Sequence, residues 1–472
     1  MKTPRDLPPM NDVLDHPALA GAQRRFGRDP LVRAVKKTID DARGRLRRGE
    51  NVEVDRDSLA RKALETLESD RPGLRPVINA TGVLLHTGLG RAPLADEAIE
   101  AVVDVAQGYC NLEFDLDAGE RGHRTSHVST LIQRLTGAEA ATVVNNNAGA
   151  TVLALRALAR GREVIVSRGQ LIEIGGSFRL PEIFEVSGAR LVEVGTTNRT
   201  RLSDYERAIT PETAVLLRVH PSNYRVVGFT ESVTIEALAG LAKRRGLMSI
   251  DDIGSGALRK DLPPNVSEEP TAAEGLAAGA DLILFSGDKL LGGPQCGLLI
   301  GSLEAVGRAE SDPLMRALRV DKMTLAALEA TLRLLQDPFS AAVRIPLWAF
   351  LSTPIESLLQ RAEALAIKFC SELTLNATVI RTTSFLGGGS VPGRPIPTAA
   401  VRVSSPWPAA FDSESRFARA LRQSDPAIVT RVRTGAVLFD LRGVEPSQDM
   451  LLVECVRKLI ASPDGGDSSK ES

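Results

Sequence analysis

Apolar and polar positions change their rhythm along this chain of 472 residues. Between Arg24 and Arg48, the apolar residues Leu31, Val32, Val35, Ile39, Ala42 and Leu46 recur at helical spacing among charged ones. That spacing predicts one amphipathic helix. "DRPGLRPV" (70–77) interrupts the rhythm and reads as a linker. From Val77 onward, short apolar runs alternate with amphipathic stretches. Residues 140–145, 162–167, 189–195, 213–219, 247–252 and 280–286 read as strands, with helices at 232–245 and 270–279 among them. Strand–helix alternation points to an α/β domain with a mostly parallel sheet. Helical patterns at 322–336 and 355–374 then precede strands at 398–404 and 436–442, predicting a smaller α+β domain. The expected boundaries are 1–75 for a helical N-terminal domain, 76–335 for the large domain and 336–461 for the smaller one. Residues 462–472, "SPDGGDSSKES", have the composition of a disordered tail.

Charge changes this picture in one place. The whole chain carries −1, yet the Arg24–Arg48 stretch holds ten Lys or Arg against three Asp. Such a face is either a solvated helix surface or an RNA-contacting one, because a basic face attracts phosphates without reading bases. Aromatic residues make up only 4%, which argues against a stacking surface for single-stranded nucleic acid. Four cysteines (Cys110, Cys296, Cys370, Cys455) form no C-x-x-C pair, as expected of free thiols in a reducing compartment. The first residues hold no apolar signal core and no apolar run reaches membrane-spanning length, so a cytoplasmic protein is expected.

Candidate chemistry gathers at the ends of the predicted strands, where doubly wound sheets hold their ligands. "AATVVN" runs into "NNAGATVLALRAL", and Ala148, Gly149 and Ala150 open a helix whose free amides suit a phosphate, or simply make a strand–helix turn. "LMSIDDIGSG" ends a strand on Asp251 and Asp252, either as partner for a cationic ring nitrogen or as turn caps. One strand–helix–strand unit later, "ADLILFSGDKLLGGPQCG" ends a strand on Ser286 and places Lys289 between glycines. An apolar strand end disfavours the charged form of a lysine. Phosphate cup, aspartate and Ser-x-x-Lys together answer the needs of pyridoxal phosphate: a Schiff-base lysine, an acid on the ring nitrogen and donors for the phosphate. A serine β-lactamase would need K-T-G after its Ser-x-x-Lys, and a nucleotide site its glycine-rich loop; neither motif occurs. His123 and His127 lack a neighbouring glutamate and a third ligand, so they read as a helix face or loop rather than a metal centre.

Six segments in order resemble the bacterial selenocysteine synthases, the L-seryl-tRNA(Sec) selenium transferase family. They are "INATGVLLHTGLGRAPL" (78–94), "LTGAEAATVVNNNAGA" (135–150), "LIEIGGSFRLPEI" (171–183), "VGTTNRTRLSDY" (194–205), "DDIGSGAL" (251–258) and "SGDKLLGGPQCGLLIG" (286–301). The resemblance implies a fold-type-I pyridoxal-phosphate transferase assembled as a ring of five dimers, a homodecamer. It implies conversion of seryl-tRNA(Sec) to selenocysteinyl-tRNA(Sec) with selenophosphate, through a dehydroalanyl (aminoacrylyl) intermediate. Mapped onto this chain, Lys289 is then the Schiff-base lysine and Asp252 the ring-nitrogen partner. Ser286 and the turn of Asn146, Asn147, Ala148, Gly149 and Ala150 hold the phosphate. Arg91, Arg316 and Arg319 match the family's anion-binding arginines, and the last two, at i and i+3, are expected on one helix face. Asp288 is placed to assist a proton transfer or orient Lys289. Cys296 stands where alanine is expected in "GPQxG", and Gly88 where asparagine is common; a small buried filler is the expected role of Cys296.

Two other functions remain to be weighed. Related lyases act on small amino acids or amino-sugar acids without tRNA, but characteristically lack an N-terminal domain like 1–75. A non-catalytic tRNA-binding protein would have little use for Lys289, Asp252 and Ser286 together.

Overall fold

The computed structural model describes residues 3–69, 73–174, 178–260, 266, 269–391, 393–408 and 411–461. The tail expected at 462–472 lies outside them. The chain divides into two units, Met1–Pro76 and Val77–Ser472.

In the first unit, the stretch expected as one helix is two, Ala20–Phe26 and Arg28–Arg47. Gly27 separates them at φ +86°, a conformation open to glycine and incompatible with a continuing helix. Helices Met10–Leu14 and Arg56–Ser69 pack around them. Val13, Leu19, Leu31, Val35, Ile39, Leu59 and Ala63 close a core belonging to this unit. The helical spacing thus turns one stripe of Arg28–Arg47 inward. It leaves Arg28, Arg33, Lys36, Lys37, Arg45 and Arg47 exposed on the other side.

The second unit contains two principal sheets. The larger has seven strands in the order Ala140–Val144, Gly297–Gly301, Leu282–Ser286, Met248–Gly254, Thr213–Val219, Glu163–Ser167 and Arg190–Val194. All six strands expected from the apolar pattern are present. They run parallel, and Gly297–Gly301 is antiparallel to both its neighbours. Helices Asn147–Ala159 and Ile235–Arg245 pack on the sheet, so its inner strands are buried on both faces, which is why they read as apolar runs, while the edge strand Arg190–Val194 is largely uncovered. The C-terminal ends of Ala140–Val144, Met248–Gly254 and Leu282–Ser286 share one edge.

The five-stranded sheet has the order Val77–Ala80, Ala427–Arg433, Ala436–Asp440, Ile396–Ser404 and Asn376–Ser384. Its first pair is parallel and the rest antiparallel. Helices Ile355–Leu373 and Asp449–Ala461 cover it, with the Phe369 and Phe439 rings meeting edge to face at 5.3 Å. Among the described residues no helix is long and apolar enough to cross a membrane.

Candidate active site

The seven-stranded sheet delivers three chain segments to one cavity of about 290 Å³. The Ala140–Val144 strand leads into Asn146, which caps the helix Asn147–Ala159; its Oδ1 accepts from the Gly149 N–H at 2.8 Å. Asn146, Asn147 and Ala148 line the cavity. The free amides of this first turn, together with the helix dipole, make an anion seat. Gly149 stands behind them, its N–H already taken by the cap.

Met248–Gly254 carries two successive aspartates, which a strand must turn to opposite sides. Asp251 turns to Arg218, whose Nε and Nη2 donate to its two oxygens at 2.7 and 2.6 Å. Asp252 turns to the cavity. It accepts from Asn147 Nδ2 at 3.0 Å, Thr151 Oγ1 at 3.0 Å and the Gly254 N–H at 3.1 Å. Burial pushes its carboxyl above the usual range, while those three donors and the nearby Lys289 pull the other way.

Leu282–Ser286 ends with Ser286 in the cavity wall, and the chain then folds into a tight loop. The Gly287 N–H donates to the Cys296 carbonyl, the Gly292 N–H to that of Lys289 and the Gly293 N–H to that of Gly287, each at 2.9 Å. Trp348 Nε1 pins the Leu290 carbonyl at 2.8 Å. Glycine is required at 287, where a Cβ would lie 2.4 Å from Cys296 Sγ and 2.8 Å from the Pro294 carbonyl. Cys296 is buried, and burial pushes its thiol far above the ordinary value, as expected of a packing residue.

Lys289, held by this loop, is only 5% exposed. Burial first, then the Arg91 cation, lowers its ammonium below the ordinary lysine value, against Asp288, Asp252 and Glu269. More of it is therefore neutral amine, the reactive form, at a given pH. Arg91 donates from Nη1 to the two Asp288 oxygens at 2.9 and 3.1 Å. It sits at φ +64°, a left-handed conformation unusual for a residue with a side chain, directly after Gly90 at φ +91°. This turn aims the guanidinium at the residue beside Lys289.

The cavity therefore brings together Arg91, Asn146, Asn147, Ala148, Asp252, Ser286, Asp288 and Lys289. Arg316 and Arg319 do not line it, and the expectation that they share a helix face is corrected. Helix Met315–Leu318 ends before Arg319, which is extended at φ −68°, ψ 141°. Arg316 is exposed, and Arg319 Nη1 reaches Glu113 at 3.4 Å. Their segment is tied to the chain just before the lining residue Asn146, the Leu318 carbonyl accepting from the Asn145 N–H at 2.8 Å.

Thr151, His220 and Ser222 were not singled out by the motifs. Thr151 sits at i+4 from Asn147, on the same helix face. His220 directly follows the Thr213–Val219 strand, so the strand-end rule could have found it. Its N–H donates to the Asp252 carbonyl at 2.8 Å, and its Nε2 lies 3.6 Å from Glu269.

The donor set fits pyridoxal phosphate in kind: helix amides and Ser286 for a phosphate, a buried carboxylate short of a cation for a ring nitrogen, and a lysine amine for an aldehyde.

A family profile described as L-seryl-tRNA selenium transferase matches residues 77–445 of this chain, and one for the N-terminal part of selenocysteine synthase matches residues 4–43. The L-seryl-tRNA(Sec) selenium transferase of Moorella thermoacetica is 46% identical over 468 residues, 98% of each chain. That of Solidesulfovibrio magneticus is also 46% identical with 98% of each chain covered, and that of Clostridium botulinum (strain Okra / Type B1) is 42% identical over 97% of this chain and 98% of its own. Among solved structures, D-glucosaminate-6-phosphate ammonia-lyase aligns over 82% of this chain and 96% of its own, with a TM-score of 0.57 and 21% identity, a likeness of fold.

Proposed function

The chain belongs to the L-seryl-tRNA selenium transferase family and acts as a selenocysteine synthase, and from that premise we propose how its own residues carry out the reaction. The substrate is serine borne on tRNA(Sec), the cofactor pyridoxal phosphate and the selenium donor selenophosphate. The observation that carries this reading is the convergence of Lys289, Asp252, Ser286 and the Asn147–Ala159 helix N-terminus on one cavity.

Pyridoxal phosphate, when bound, supplies an electron sink for the charge left on the seryl α-carbon. Lys289 would hold it covalently and, once released by the substrate amine, take the α-proton on Nζ. The lowered affinity of that nitrogen for a proton suits it to act as a base. Asp252 would keep the ring nitrogen protonated, and its three hydrogen bonds fix the carboxylate for that contact. Ser286 and the amides at Asn147 and Ala148 would seat the phosphate. The β-hydroxyl would leave as water, the selenium of selenophosphate would bond to the β-carbon, and cleavage of its bond to phosphorus by water would release phosphate.

Arg91 on the cavity wall would meet the incoming anion, with Arg316 and Arg319 on the adjoining segment. Asp288, clamped by Arg91, would orient Lys289 or relay its proton. The basic face of Arg28–Arg47 would carry the tRNA. As in the family expectation, the enzyme would be cytoplasmic and assemble as a ring of five dimers.

The test is turnover of the purified protein with seryl-tRNA(Sec) and selenophosphate, with free serine as control. Selenocysteinyl-tRNA from the first and no product from the second is expected. Conversion of free serine, or an inert seryl-tRNA, would overturn the reading. Removing residues 1–75 should abolish tRNA binding while leaving cofactor uptake intact.

A further inference from the structure

The cavity at Lys289 shares part of its wall with a second one of about 420 Å³. Val219 and His220 line both, so the two spaces meet at the end of the Thr213–Val219 strand. The second cavity contains none of the residues assigned above to the cofactor or the anion. Its volume falls within the roughly 300–1,000 Å³ of pockets that hold drug-sized ligands.

Its wall carries four arginines, Arg199, Arg218, Arg225 and Arg394, against two glutamates that already have partners, Glu269 with Ser255 Oγ at 2.6 Å and Glu231 with Arg201 at 3.1 Å, so cations prevail among its hydroxyl groups. Arg199 lies 5.9 Å from the centre of the Phe229 ring, and its Nε donates to the Phe229 carbonyl at 3.2 Å. The guanidinium is thereby held in place, with its terminal nitrogens lacking an acceptor among the described residues. Arg225 is exposed and its side chain meets no acceptor among the described residues. Of the other two arginines, Arg218 is committed to Asp251 and Arg394 has a contact of its own, which leaves the task to Arg199 and Arg225. Thr196 and Thr230 add hydroxyls to the wall.

The serine of the proposed reaction is esterified to the ribose of a terminal nucleotide. With its α-carbon at Lys289, that ribose must lie next to the active-site cavity, and the second cavity adjoins it across Val219 and His220. Guanidinium groups and hydroxyls suit phosphate and ribose. This recognition needs no stacking surface, in keeping with the scarcity of aromatic residues.

We propose that the second cavity seats the single-stranded 3′ end of the substrate tRNA, with Arg199 and Arg225 on its phosphates. The proposal rests on the aminoacyl-tRNA reading given above.

The experiment titrates holoenzyme and an Arg199→Ala/Arg225→Ala double variant with the trinucleotide CpCpA, and assays both with seryl-tRNA(Sec). The trinucleotide Kd and the KM for seryl-tRNA should each rise about tenfold or more, the equivalent of one lost charge-assisted contact. The slope of log affinity against log salt should flatten by roughly 1.4, about 0.7 for each single-strand phosphate released. Arg225→Lys should keep most of the slope. Equal trinucleotide binding by wild type and variant overturns the proposal. So does a variant whose sedimentation size changes while its trinucleotide affinity does not, which would make this surface a subunit contact. If the wild type fails to convert seryl-tRNA(Sec) at all, the functional reading has failed, and the trinucleotide arm still decides the cavity. Should the double variant not fold, Arg225→Ala alone carries the test.

Discussion

Asp440 ends the Ala436–Asp440 strand of the five-stranded sheet, and Asp252 lies near the end of Met248–Gly254 in the seven-stranded one; both are buried. Burial pushes both carboxyls upward. Around Asp440 the protein closes completely. Thr398 Oγ1 donates at 2.7 Å, Ser384 Oγ and the Arg442 N–H at 3.1 Å, and Arg431 Nη2 at 3.3 Å as a paired cation. Asp252 is touched by neutral donors alone and faces open space. Its nearest cation, Lys289, makes no ion pair with it among the described residues. An incompletely compensated buried carboxylate is unfavourable on its own. A fold that keeps one beside a cavity has left room for a cation on a ligand. Asp251, one residue earlier and paired with Arg218, shows that the same strand also builds the closed kind.

The comparison breaks most sharply on two alanine substitutions. Asp252→Ala should lower turnover by roughly 10²–10³-fold, the scale of removing one preorganised electrostatic group. It should also weaken cofactor uptake while leaving the unfolding midpoint of the apoprotein unchanged or higher. Asp440→Ala should do the reverse. It strands Arg431 and two hydroxyls and should cost about 3–5 kcal/mol in denaturant unfolding, with cofactor affinity preserved in the folded fraction. If both variants lose stability equally, the distinction between an open and a closed carboxylate is wrong.

A subtler effect separates the groups flanking Lys289. Uptake of pyridoxal phosphate by the apoprotein, followed by absorbance, should rise with pH and level off below the value of about 10.4 typical of free lysine. Asp288→Asn removes an anion that favours the ammonium, so the midpoint should move to lower pH; Arg91→Met removes a cation and should move it higher. The folded chain binds this proton more weakly than the unfolded one. Lys289 therefore adds stability to the apoprotein as pH rises from its folded value toward its unfolded one. At the small end, Arg333→Ala breaks an exposed i,i+4 pair with Glu329 and should cost only about 0.3–0.5 kcal/mol in the same unfolding assay.

The inner parallel strands of the large sheet were readable because they are buried on both faces and short apolar runs mark them. Gly297–Gly301 escaped because "GLLIG" is brief and follows directly on the glycine loop. Asn376–Ser384 escaped because exposed threonines and an arginine interrupt its apolar positions. At the candidate site, residue types at strand ends pointed to Lys289, Asp252 and Ser286, since chemistry and topology agree there. What linear spacing could not convey was the direction of each side chain. Asn146 spends its oxygen on a helix cap and Asn147 its amide on Asp252, while Arg319 leaves its helix one residue too early to stay beside Arg316. The second cavity takes part of its wall from the "VGTTNRTRLSDY" segment, but linear spacing did not show that Arg225 and Thr230 would join it there.

Val77–Ala80, the first strand of the larger unit, finds its parallel partner in Ala427–Arg433, near the other end of the described chain. A ribosome releases these residues ahead of the rest of their unit, yet nearly the whole catalytic unit must emerge before their backbone groups can be satisfied in the sheet. Assembly of the five-stranded layer is thus a late event in synthesis, dominated by loop closure rather than by local contacts. A truncation that spares every residue around Lys289 but removes Ala427–Arg433 would leave the strand at 77–80 as an open edge, and aggregation of the nascent chain is its natural consequence.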